Sequence, residues 1–268
     1  MVNEINIGIT GASGFIGKYL ISFFKKKGLR LIVIKSRLNN YEDLKKEIVL
    51  LPKLNFVFHL AGSFQGEWES LYDNNFIATK NLLSCLNPKV TKVIFTSTGS
   101  VYGNSGKFGV DETFECKPVD DYGKIKLMTE KIVCEFGNYL IFRLPSVYGD
   151  GNNKGVIYHW KNSIDALETL KVGDNGLSYR SFLHIKDLVS IFHLSIKIDN
   201  PSIYNLSENE SFSMIELAKI ISRGKKDNIE FFRSNNLLKS MVLKNDKFRN
   251  RFNYKFSNLV DFILSFTE

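Results

Sequence analysis

The chain has 268 residues, of which 44% are hydrophobic and 24% charged, a composition typical of a globular protein large enough to bury a full core. No apolar run reaches the roughly 18 residues that a membrane span requires, and the chain enters a strand pattern too early to leave room for a signal peptide. We therefore predict a cytoplasmic protein without a membrane partner.

The charge and the cysteines narrow the functional classes further. The formal net charge is +8, but the lysines are scattered, and no basic segment carries the interleaved aromatic residues of a nucleic-acid-binding stretch. The three cysteines form no CxxC pair, which argues against a metal site or a disulfide framework. We interpret most of the lysines as solvated faces and predict neither a nucleic-acid partner nor a metal.

The first pattern along the chain is a strand, a glycine turn and the start of a helix within residues 5–17, INIGITGASGFIG. Isoleucines recur at a period of two before the turn, and the apolar spacing becomes helical after it. In such a turn Gly11 permits a tight exit from the strand, Gly14 lets the backbone approach a pyrophosphate, and Gly17 allows the helix to pack closely on the sheet. The N–H groups at the helix start then face the anion. A GxxGxxG spacing is a weak signal alone, and the alternative is a flexible loop.

Strand and helix patterns alternate as far as residue 144. Strands are predicted at 29–34, 56–60, 90–96 and 139–144, and helices at 41–51, 74–86 and 122–136. The run at 29–34 is continuously apolar, as in a strand buried within a parallel sheet. With right-handed crossovers, this alternation predicts an α/β fold with a doubly wound parallel sheet.

The pattern is looser beyond Pro145. Helices are predicted at 156–170, at 185–196 and from Met214 to Ile221 after a Ser211 or Ser213 cap, with a turn at 173–176. We predict a sheet domain, residues 1–145 with 181–200, and a smaller lobe, residues 146–180 with 201–268. The lobe is expected over the carboxyl edge of the sheet, where open α/β sheets bind ligands.

Three side chains near that edge could perform acid–base chemistry. Tyr122 and Lys126 are four residues apart on a predicted helix and so share a face, and Thr98 follows a predicted strand. A phenol has an unperturbed pKa of about 10, and a neighbouring cationic lysine favours the phenolate and lowers that value. The three groups suit proton transfer to or from a carbinol while a nicotinamide exchanges hydride. The alternative for Tyr122 and Lys126 is an ordinary amphipathic helix with a solvated lysine.

Seven stretches in order along the chain carry a resemblance to a known family. They are TGASGFIG at 10–17, HLAG at 59–62, DNNFIATKNLL at 73–83, TSTGSVYG at 96–103, YGKIK at 122–126, RLPSVYG at 143–149 and YRSFLHIKDLV at 179–189. Together they resemble the extended short-chain dehydrogenase/reductase family of nucleotide-sugar epimerases, dehydratases and reductases. The stretches at 203–218 and 245–247 are similar to the C-terminal lobe of the family, so the resemblance covers the chain nearly end to end.

The resemblance implies a Rossmann domain that binds NAD(P) and a lobe that binds a nucleotide-diphosphate sugar. It implies that Thr98 is a catalytic hydroxyl beside the substrate, that Tyr122 is the general acid/base, and that Lys126 binds the nicotinamide ribose and lowers the pKa of the tyrosine. Tyr122 and Lys126 are thereby also cofactor contacts. The other implied cofactor-binding residues are Thr10, Gly11, Gly14, Phe15, Ile16, Lys35, Ser36, Arg37, Leu60, Ala61, Gly62, Asn74 and Pro145.

Two further residues are implied to bind the substrate. Ser146 would flank the sugar and the nicotinamide together with Pro145, and Arg180 would bind the diphosphate through a bidentate guanidinium. The resemblance also implies a homodimer that pairs the helices at 74–86 and 122–136.

One departure from the family pattern bears on the cofactor. NAD-binding members usually end the second strand with an acidic residue on the ribose 2′-hydroxyl, and this sequence has Lys35-Ser36-Arg37 there. Basic and hydroxyl groups favour a 2′-phosphate, and no carboxylate is expected to repel it, so we predict NADP(H), with NAD(H) as the alternative. The other interpretation is a basic strand end that faces solvent.

A second departure bears on the reaction. The 4,6-dehydratases of the family place an acidic pair directly after the catalytic threonine, whereas Gly99 and Ser100 follow Thr98 here. With NADPH as the expected reductant, we predict reduction of a nucleotide-linked 4-keto-6-deoxy sugar, as in the biosynthesis of surface polysaccharide. The alternatives are a nucleotide-sugar 4-epimerase similar to UDP-glucose 4-epimerase and, with less support, a non-catalytic NADP(H)-binding regulator.

Overall fold

The computed structural model describes residues 5–106, 108–223, 229–233 and 240–265. Its strands are β1 (Ile7–Thr10), β2 (Leu31–Val33), β3 (Phe56–His59), β4 (Lys92–Thr98), β5 (Tyr139–Leu144), β6 (Ser146–Tyr148), β7 (Leu170–Gly173), β8 (Tyr179–His184), β9 (Ser202–Asn205), β10 (Ser211–Ser213) and β11 (Ile229–Phe232). Its helices are α1 (Phe15–Lys26), α2 (Tyr41–Leu50), α3 (Trp68–Tyr72), α4 (Ala78–Ser84), α5 (Asp121–Phe136), α6 (Val156–Asp165), α7 (Ile185–Ser195), α8 (Met214–Ile221), α9 (Asp246–Phe252) and α10 (Leu259–Leu264). A π-helical turn, Asp73–Ile77, joins α3 to α4, and 3-10 turns lie at Gly99–Tyr102 and Asp174–Gly176.

The described residues form two compact units. The sheet unit contains the residues up to Val101, Cys116–Arg143 and Leu188–Tyr204, and the lobe unit contains Tyr102–Glu115, Leu144–Asp187 and the residues from Asn205 onward. These bounds differ from the predicted domain bounds because the pairing of β8 and β9 assigns each of them to a sheet. β8 pairs along its length with β10 and β6, which keeps it whole within the lobe unit, and β9 joins the large sheet.

Within the described residues, the sheet unit is built on six strands in the order β2-β1-β3-β4-β5-β9. β1 is parallel with both β2 and β3, and β3 is parallel with β4. The carboxyl ends of these strands therefore lie at one edge of the sheet. The predicted α/β fold with a doubly wound parallel sheet is confirmed.

An aromatic cluster holds two helices on this sheet. Phe24 of α1 meets Phe58 of β3 edge-on at 5.3 Å between ring centroids. Phe192 of α7 contacts Phe58 at 5.4 Å and Phe142 of β5 at 5.8 Å. All four rings are fully buried. Burial on this scale fixes α1, and with it the glycine turn at its start, against the strands.

Three predicted elements of the sequence differ in the structure. β2 is half-buried rather than buried, because it is an edge strand with a single neighbour. The helix predicted at 74–86 begins earlier, at Trp68, and contains the π-helical turn. The helix predicted at 156–170 ends at Asp165, because Leu167 adopts a left-handed φ of 59°, and Leu170 begins β7.

The lobe unit contains, among its described residues, a three-stranded sheet ordered β10-β8-β6 and a parallel pair of β7 and β11. These strands are not predicted from the sequence, because apolar periodicity over three to six residues does not distinguish a strand from a loop. Tyr148, Trp160 and Phe182 are buried in the core of the unit. Ser213, one of the two predicted caps, forms a capping box with Glu216 at the start of α8. Across the described residues no helix combines the length and apolarity that crossing a membrane would need.

Candidate active site

The glycine turn after β1 packs against the loop that follows β3. Gly11 has a φ of +70°, and a Cβ built on it would lie 2.7 Å from the Ala61 nitrogen and 2.8 Å from the Leu60 carbonyl carbon. A Cβ on Gly17 would lie 2.3 Å from the Gly11 oxygen. Gly14 is exposed, and a Cβ there would meet only the Gly11 oxygen, at 3.3 Å. Gly11 and Gly17 thus allow the close packing of the turn, while the backbone at Gly14 stays open to a ligand.

The start of α1 has the chemistry of an anion-binding site. The helix begins at Phe15 with Gly14 as its N-cap, no side chain of the described residues caps it, and its first turn has no acidic residue. Its first N–H groups carry the positive end of the helix dipole. Phe15 and Ile16 are half-buried, and the Phe15 ring packs edge-on against Tyr19 at 5.4 Å. The turn and the helix start therefore fit a dinucleotide pyrophosphate, bound through backbone groups.

Gly17→Ala is expected to destabilise the protein by about 1–3 kcal/mol, the usual cost of overpacking. The added methyl would meet backbone atoms of Gly11 and Ala12, at 2.3 Å and 2.8 Å, so α1 must shift away from the turn. The better helix propensity of alanine offsets about 1 kcal/mol of this. Chemical denaturation measures the loss, with exposed Lys18→Ala in the same helix as the control. An unchanged midpoint would contradict the tight packing inferred here.

Thr10 supports the turn from inside the protein and does not face a ligand. It is 1% exposed, its Oγ1 accepts a hydrogen bond from the Ala61 N–H at 3.2 Å, and it pairs with His59 Nδ1 at 2.8 Å. Direct cofactor contact through this side chain, as the resemblance implies, is therefore not supported by its position. Thr10 instead joins the end of β1 to the loop after β3.

His59, at the end of β3, extends this series of hydrogen bonds from Thr10 to Thr79 of α4. Its Nε2 pairs with Thr79 Oγ1 at 2.8 Å, and Thr79 donates its hydroxyl proton to the Asn75 carbonyl. His59 must therefore donate from Nε2 and accept at Nδ1 from the Thr10 hydroxyl. Burial, with a smaller contribution from the charge of Lys126, lowers the pKa of His59 to about 3. The ring is neutral at working pH and acts as a positioning residue.

Asn75 reaches the loop after β3, whereas Asn74, whose cofactor contact stays a prediction, does not turn inward. Asn74 is exposed and donates to the Ser70 carbonyl at 2.8 Å. Asn75 is buried, donates to the Ser63 carbonyl at 2.9 Å, and its Oδ1 would lie 2.6 Å from a Cβ on Gly62. The side chain thus holds the backbone at the predicted Leu60-Ala61-Gly62 cofactor contact. Both residues lie in the π-helical turn, where helical spacing does not predict which asparagine turns inward.

A carboxylate lies at the end of β2, where the sequence analysis expected none. Glu47 of α2 accepts hydrogen bonds from the Lys35 N–H at 2.9 Å and the Ser36 N–H at 2.8 Å. Burial alone would raise the pKa of Glu47, but these N–H groups outweigh it and lower the pKa below its usual range. The side chains of Lys35 and Arg37 are exposed. The expectation that no carboxylate lies at Lys35-Ser36-Arg37 is therefore wrong.

Thr98 ends β4, and a 3-10 turn follows it. Its Oγ1 accepts from the Ser100 N–H at 3.2 Å and donates to the Ser100 Oγ at 3.3 Å. A Cβ on Gly123 would lie 2.7 Å from the Ser100 carbonyl oxygen, so the first turn of α5 packs directly on this loop. The structure thereby brings the segment of Thr98 and the start of α5 together.

Lys126 anchors the same helix to β4. It is 4% exposed, its Nζ donates to the Thr96 carbonyl at 2.7 Å, and it lies 4.0 Å from the centroid of the Phe95 ring. Burial lowers the pKa of Lys126 to about 7, although the Glu130 carboxylate acts in the opposite direction. Lys126 can therefore exchange a proton near neutral pH.

Tyr122 lies one helical turn before Lys126 on α5 and is half-buried. Burial raises its pKa to about 12, and the charge of Asp120, the N-cap residue of α5, adds to this effect. The predicted lowering of the Tyr122 pKa by Lys126 is therefore not found in this structure. The reason is that burial disfavours the charged form of both groups and leaves the lysine only partly charged. The phenol is a proton donor at neutral pH.

A buried ion pair fixes α5 against the two strands beside the site. Glu130 of α5 accepts from Arg143 Nε at 3.1 Å and from its Nη2 at 2.7 Å, and Ser97 donates to the same carboxylate. Glu130 and Arg143 are 2% and 5% exposed. Because Ser97 precedes Thr98 in β4 and Glu130 lies one turn beyond Lys126, the pair holds the elements that carry the predicted catalytic groups.

The predicted substrate residues lie in the lobe unit. Pro145 is buried, and Ser146 of β6 is half-buried and lines a cavity of about 320 Å³ together with Asn152, Tyr158 and Phe262. This cavity is large enough for part of a small ligand. It is bounded by both apolar rings and amide groups.

Arg180 of the same unit is half-buried in β8 and does not line that cavity. Its Nη1 donates to the Tyr179 carbonyl at 3.1 Å, and burial lowers the pKa of its guanidinium. It stands opposite Phe212 of β10 in the antiparallel pair. The bidentate contact with a diphosphate stays a prediction.

The family of the chain follows from a match over most of its length. The sequence profile of the NAD-dependent epimerase/dehydratase family matches residues 7–207. The chain belongs to this family. The match spans the glycine turn, the loop after β3 and the group of Thr98, Tyr122 and Lys126. The predicted family and the prediction of an enzyme are confirmed.

Similar proteins within the epimerase/dehydratase family carry different reactions in their names. ADP-L-glycero-D-manno-heptose-6-epimerase of Brachyspira hyodysenteriae is 26% identical, over 80% of this chain and 79% of that protein. dTDP-D-glucose 4,6-dehydratase of Dictyostelium discoideum is also 26% identical, over 80% of this chain, which spans only 60% of that protein. The crystal structure of the Bordetella bronchiseptica enzyme WbmG in complex with NAD and UDP matches with a TM-score of 0.86 at 20% identity, over 98% of this chain and 93% of that one. This last likeness shows the fold.

Sequence reasoning missed several residues of this family member that support the site. They are Glu47, His59, Asn75, Ser97, Glu130 and Arg143. The HLAG stretch contained His59 and the RLPSVYG stretch contained Arg143, so the resemblance pointed to these segments without giving the two residues a role.

Proposed function

We propose that this protein is an NAD(P)-dependent enzyme that oxidises and reduces a carbinol carbon of a nucleotide-linked sugar. The observation that carries the proposal is that α5, which bears Tyr122 and Lys126, packs on the carboxyl end of β4 through Lys126 on Thr96 and through Gly123 on Ser100. The first strand of the same sheet leads into the glycine turn at the start of α1. Open α/β sheets bind their ligands at this edge. A bound nicotinamide nucleotide supplies the acceptor and donor of hydride.

Tyr122 is proposed as the general acid that returns a proton to the substrate oxygen. With a pKa raised to about 12, its phenol holds that proton at neutral pH and can donate it to a stronger base such as an alkoxide. In the oxidative direction the same oxygen, once deprotonated, would accept the proton of the carbinol. Thr98 would donate a hydrogen bond to the same substrate oxygen. Lys126, with a pKa of about 7, would bind the nicotinamide ribose and relay protons. Gly11, Gly14, Phe15 and Ile16 would hold the pyrophosphate, and Ala61 and Gly62 would line the adenosine side.

Among the reactions of the family, we favour epimerisation of a nucleotide sugar by transient oxidation with a retained NAD. The supporting observation is the Glu47 carboxylate held at the end of β2, where the 2′-phosphate of NADP(H) would meet a negative charge. Gly99 and Ser100 after Thr98 remain an argument against a 4,6-dehydratase. The names of the similar proteins, an epimerase and a dehydratase, are consistent with sugar-nucleotide chemistry of either kind.

The second candidate is the NADPH-dependent reduction of a nucleotide-linked 4-keto-6-deoxy sugar that the sequence favours. The exposed charges of Lys35 and Arg37 support it. For either reaction, Ser146, Pro145 and Arg180 would bind the nucleotide-diphosphate sugar. We further propose a cytoplasmic homodimer paired through α5 and the helices from 68 to 84, and light scattering tests this state.

A panel of nucleotide sugars tests the proposal and separates the two reactions. The enzyme would be incubated with UDP-glucose, UDP-galactose, dTDP-glucose and their 4-keto-6-deoxy derivatives, and the products resolved by proton NMR. An epimerase is expected to interconvert C4 epimers without consuming added reductant, whereas a reductase oxidises NADPH in proportion to keto sugar consumed. Tight dinucleotide binding with no turnover of any sugar would contradict both and favour the non-catalytic NADP(H)-binding regulator.

A further inference from the structure

A carboxylate is fixed at the end of β2 by backbone hydrogen bonds. Glu47 Oε1 accepts from the Lys35 N–H at 2.9 Å, and Oε2 accepts from the Ser36 N–H at 2.8 Å and from the Lys35 N–H at 3.1 Å. Ser36 Oγ also donates to the Asp43 carbonyl of α2, at 3.3 Å. The half-buried Glu47 side chain is therefore held in place at the strand end, unlike a charge that moves freely in solvent.

The remaining hydrogen-bonding capacity of this carboxylate discriminates between two ribose substituents. A carboxylate has about four accepting positions, and Oε1 of Glu47 uses one of its two for Lys35. A ribose 2′-hydroxyl can donate a proton to the free position. A 2′-phosphate brings only acceptors and negative charge, and the two N–H groups that could bind it are already engaged by Glu47. The same carboxylate can thus accept a hydrogen bond from a 2′-hydroxyl, whereas its charge repels a 2′-phosphate.

The nearby cations do not reverse this preference. Lys35 and Arg37 are exposed, so water and salt screen their attraction for a phosphate. Glu47 is less exposed, and its charge is stabilised in place by the strand-end amides. Lys35 also lies near enough to act electrostatically on the Glu47 carboxylate, so part of its attraction for a phosphate is already compensated.

We propose that Glu47 is a specificity-determining residue that selects NAD(H) over NADP(H). The carboxylate comes from helix α2, twelve residues beyond Lys35, in place of an acidic residue at the end of the strand itself. The inference rests on the proposed function, because it requires a dinucleotide bound at the glycine turn. A preference for NAD(H) is consistent with epimerisation, which uses a retained NAD and no consumable reductant.

Titration calorimetry of the full chain with NADH and with NADPH tests this inference without measuring catalysis. The wild type is expected to bind NADH at least tenfold more tightly, a difference of about 1.4 kcal/mol. Glu47→Gln keeps the shape and removes the charge, and it should lower the NADH-to-NADPH preference about tenfold. Glu42→Gln removes the same charge from an exposed position of the same helix and should leave the preference unchanged. Adding Arg37→Ala to Glu47→Gln should again weaken the binding of NADPH, because the Arg37 guanidinium is then expected to be the main contact of the 2′-phosphate.

Each outcome separates this inference from the function on which it rests. Binding of neither dinucleotide would overturn the proposed function. Equal or tighter binding of NADPH by the wild type would overturn the role of Glu47 and, with it, the preference for epimerisation. It would leave the proposal of a nicotinamide-dependent enzyme standing, with the reduction as its reaction. An NADH preference that survives in both Glu47→Gln and Glu47→Ala, each shown to be folded by thermal unfolding, would assign the selectivity to other residues and also overturn it.

Discussion

Tyr122→Phe is expected to lower kcat by about 10²- to 10⁴-fold, the usual contribution of a positioned general acid or base. The substitution removes only the phenol oxygen, and the ring continues to occupy its half-buried place on α5. Asp120, which caps the helix by accepting from the Gly123 N–H at 2.7 Å, is unaffected. Steady-state turnover of the nucleotide sugar found in the panel measures the effect, and dinucleotide binding should persist.

The control for this prediction is Tyr41→Phe, which removes a phenol from the half-buried first turn of α2. It should leave kcat unchanged. If Tyr122→Phe retained the turnover of the wild type, the acid/base role would pass to another group. Lys126 is then the leading candidate, because its pKa of about 7 suits proton transfer at neutral pH. A loss of dinucleotide binding in Tyr122→Phe would instead indicate that the phenol acts chiefly in cofactor binding.

Local sequence signals were sufficient for the parts of the site that depend on a single element. The glycine turn before α1 and the four-residue spacing of Tyr122 and Lys126 each report on one turn or one helix face. The structure places Thr98 at the end of β4 because the apolar run before it forms a central strand. Such features follow from periodicity and from residue types within a few positions.

The supporting contacts could not be predicted in this way, because they join residues that are distant along the chain. Glu47 reaches the end of β2 only once α2 has packed beside it, and no short motif encodes that contact. His59 and Thr10 are 49 residues apart in sequence. The pKa of Tyr122 illustrates the same limit: the Tyr-x-x-x-Lys spacing suggests a lowered value, but the depth of burial, which no spacing reports, raises it.

Arg143→Met is expected to destabilise the protein by about 3–5 kcal/mol, because it leaves the Glu130 carboxylate buried without its partner. Glu130 is 2% exposed and would keep only the hydrogen bond from Ser97. At about 2–4 °C per kcal/mol for a domain of this size, the midpoint of thermal unfolding should fall by roughly 10 °C.

Two variants separate the buried charge from the loss of packing. The double variant Glu130→Gln/Arg143→Met keeps an acceptor for Ser97 and buries no charge, so it should recover most of the lost stability. Lys124→Met breaks an ion pair with Asp121 on the same helix, but this pair is about half exposed, and the change should be within about 1 kcal/mol. A double variant no more stable than Arg143→Met would mean that the aliphatic part of the arginine, rather than its charge, stabilises α5.

The ion pair also links stability to catalysis in a way that the same variants measure. Ser97 and Glu130 hold β4 and α5 together at positions adjacent to Thr98 and one turn beyond Lys126. A general acid loses effectiveness when its distance from the reacting atom changes by about 1 Å. Well below its unfolding midpoint, Arg143→Met should therefore show a reduced kcat with nearly unchanged dinucleotide affinity, and the double variant should restore both stability and kcat. If stability returned without kcat, the balance of buried charge alone would not be sufficient for the site. The guanidinium of Arg143, or the charge of Glu130 that acts on Lys126, would then be required as well.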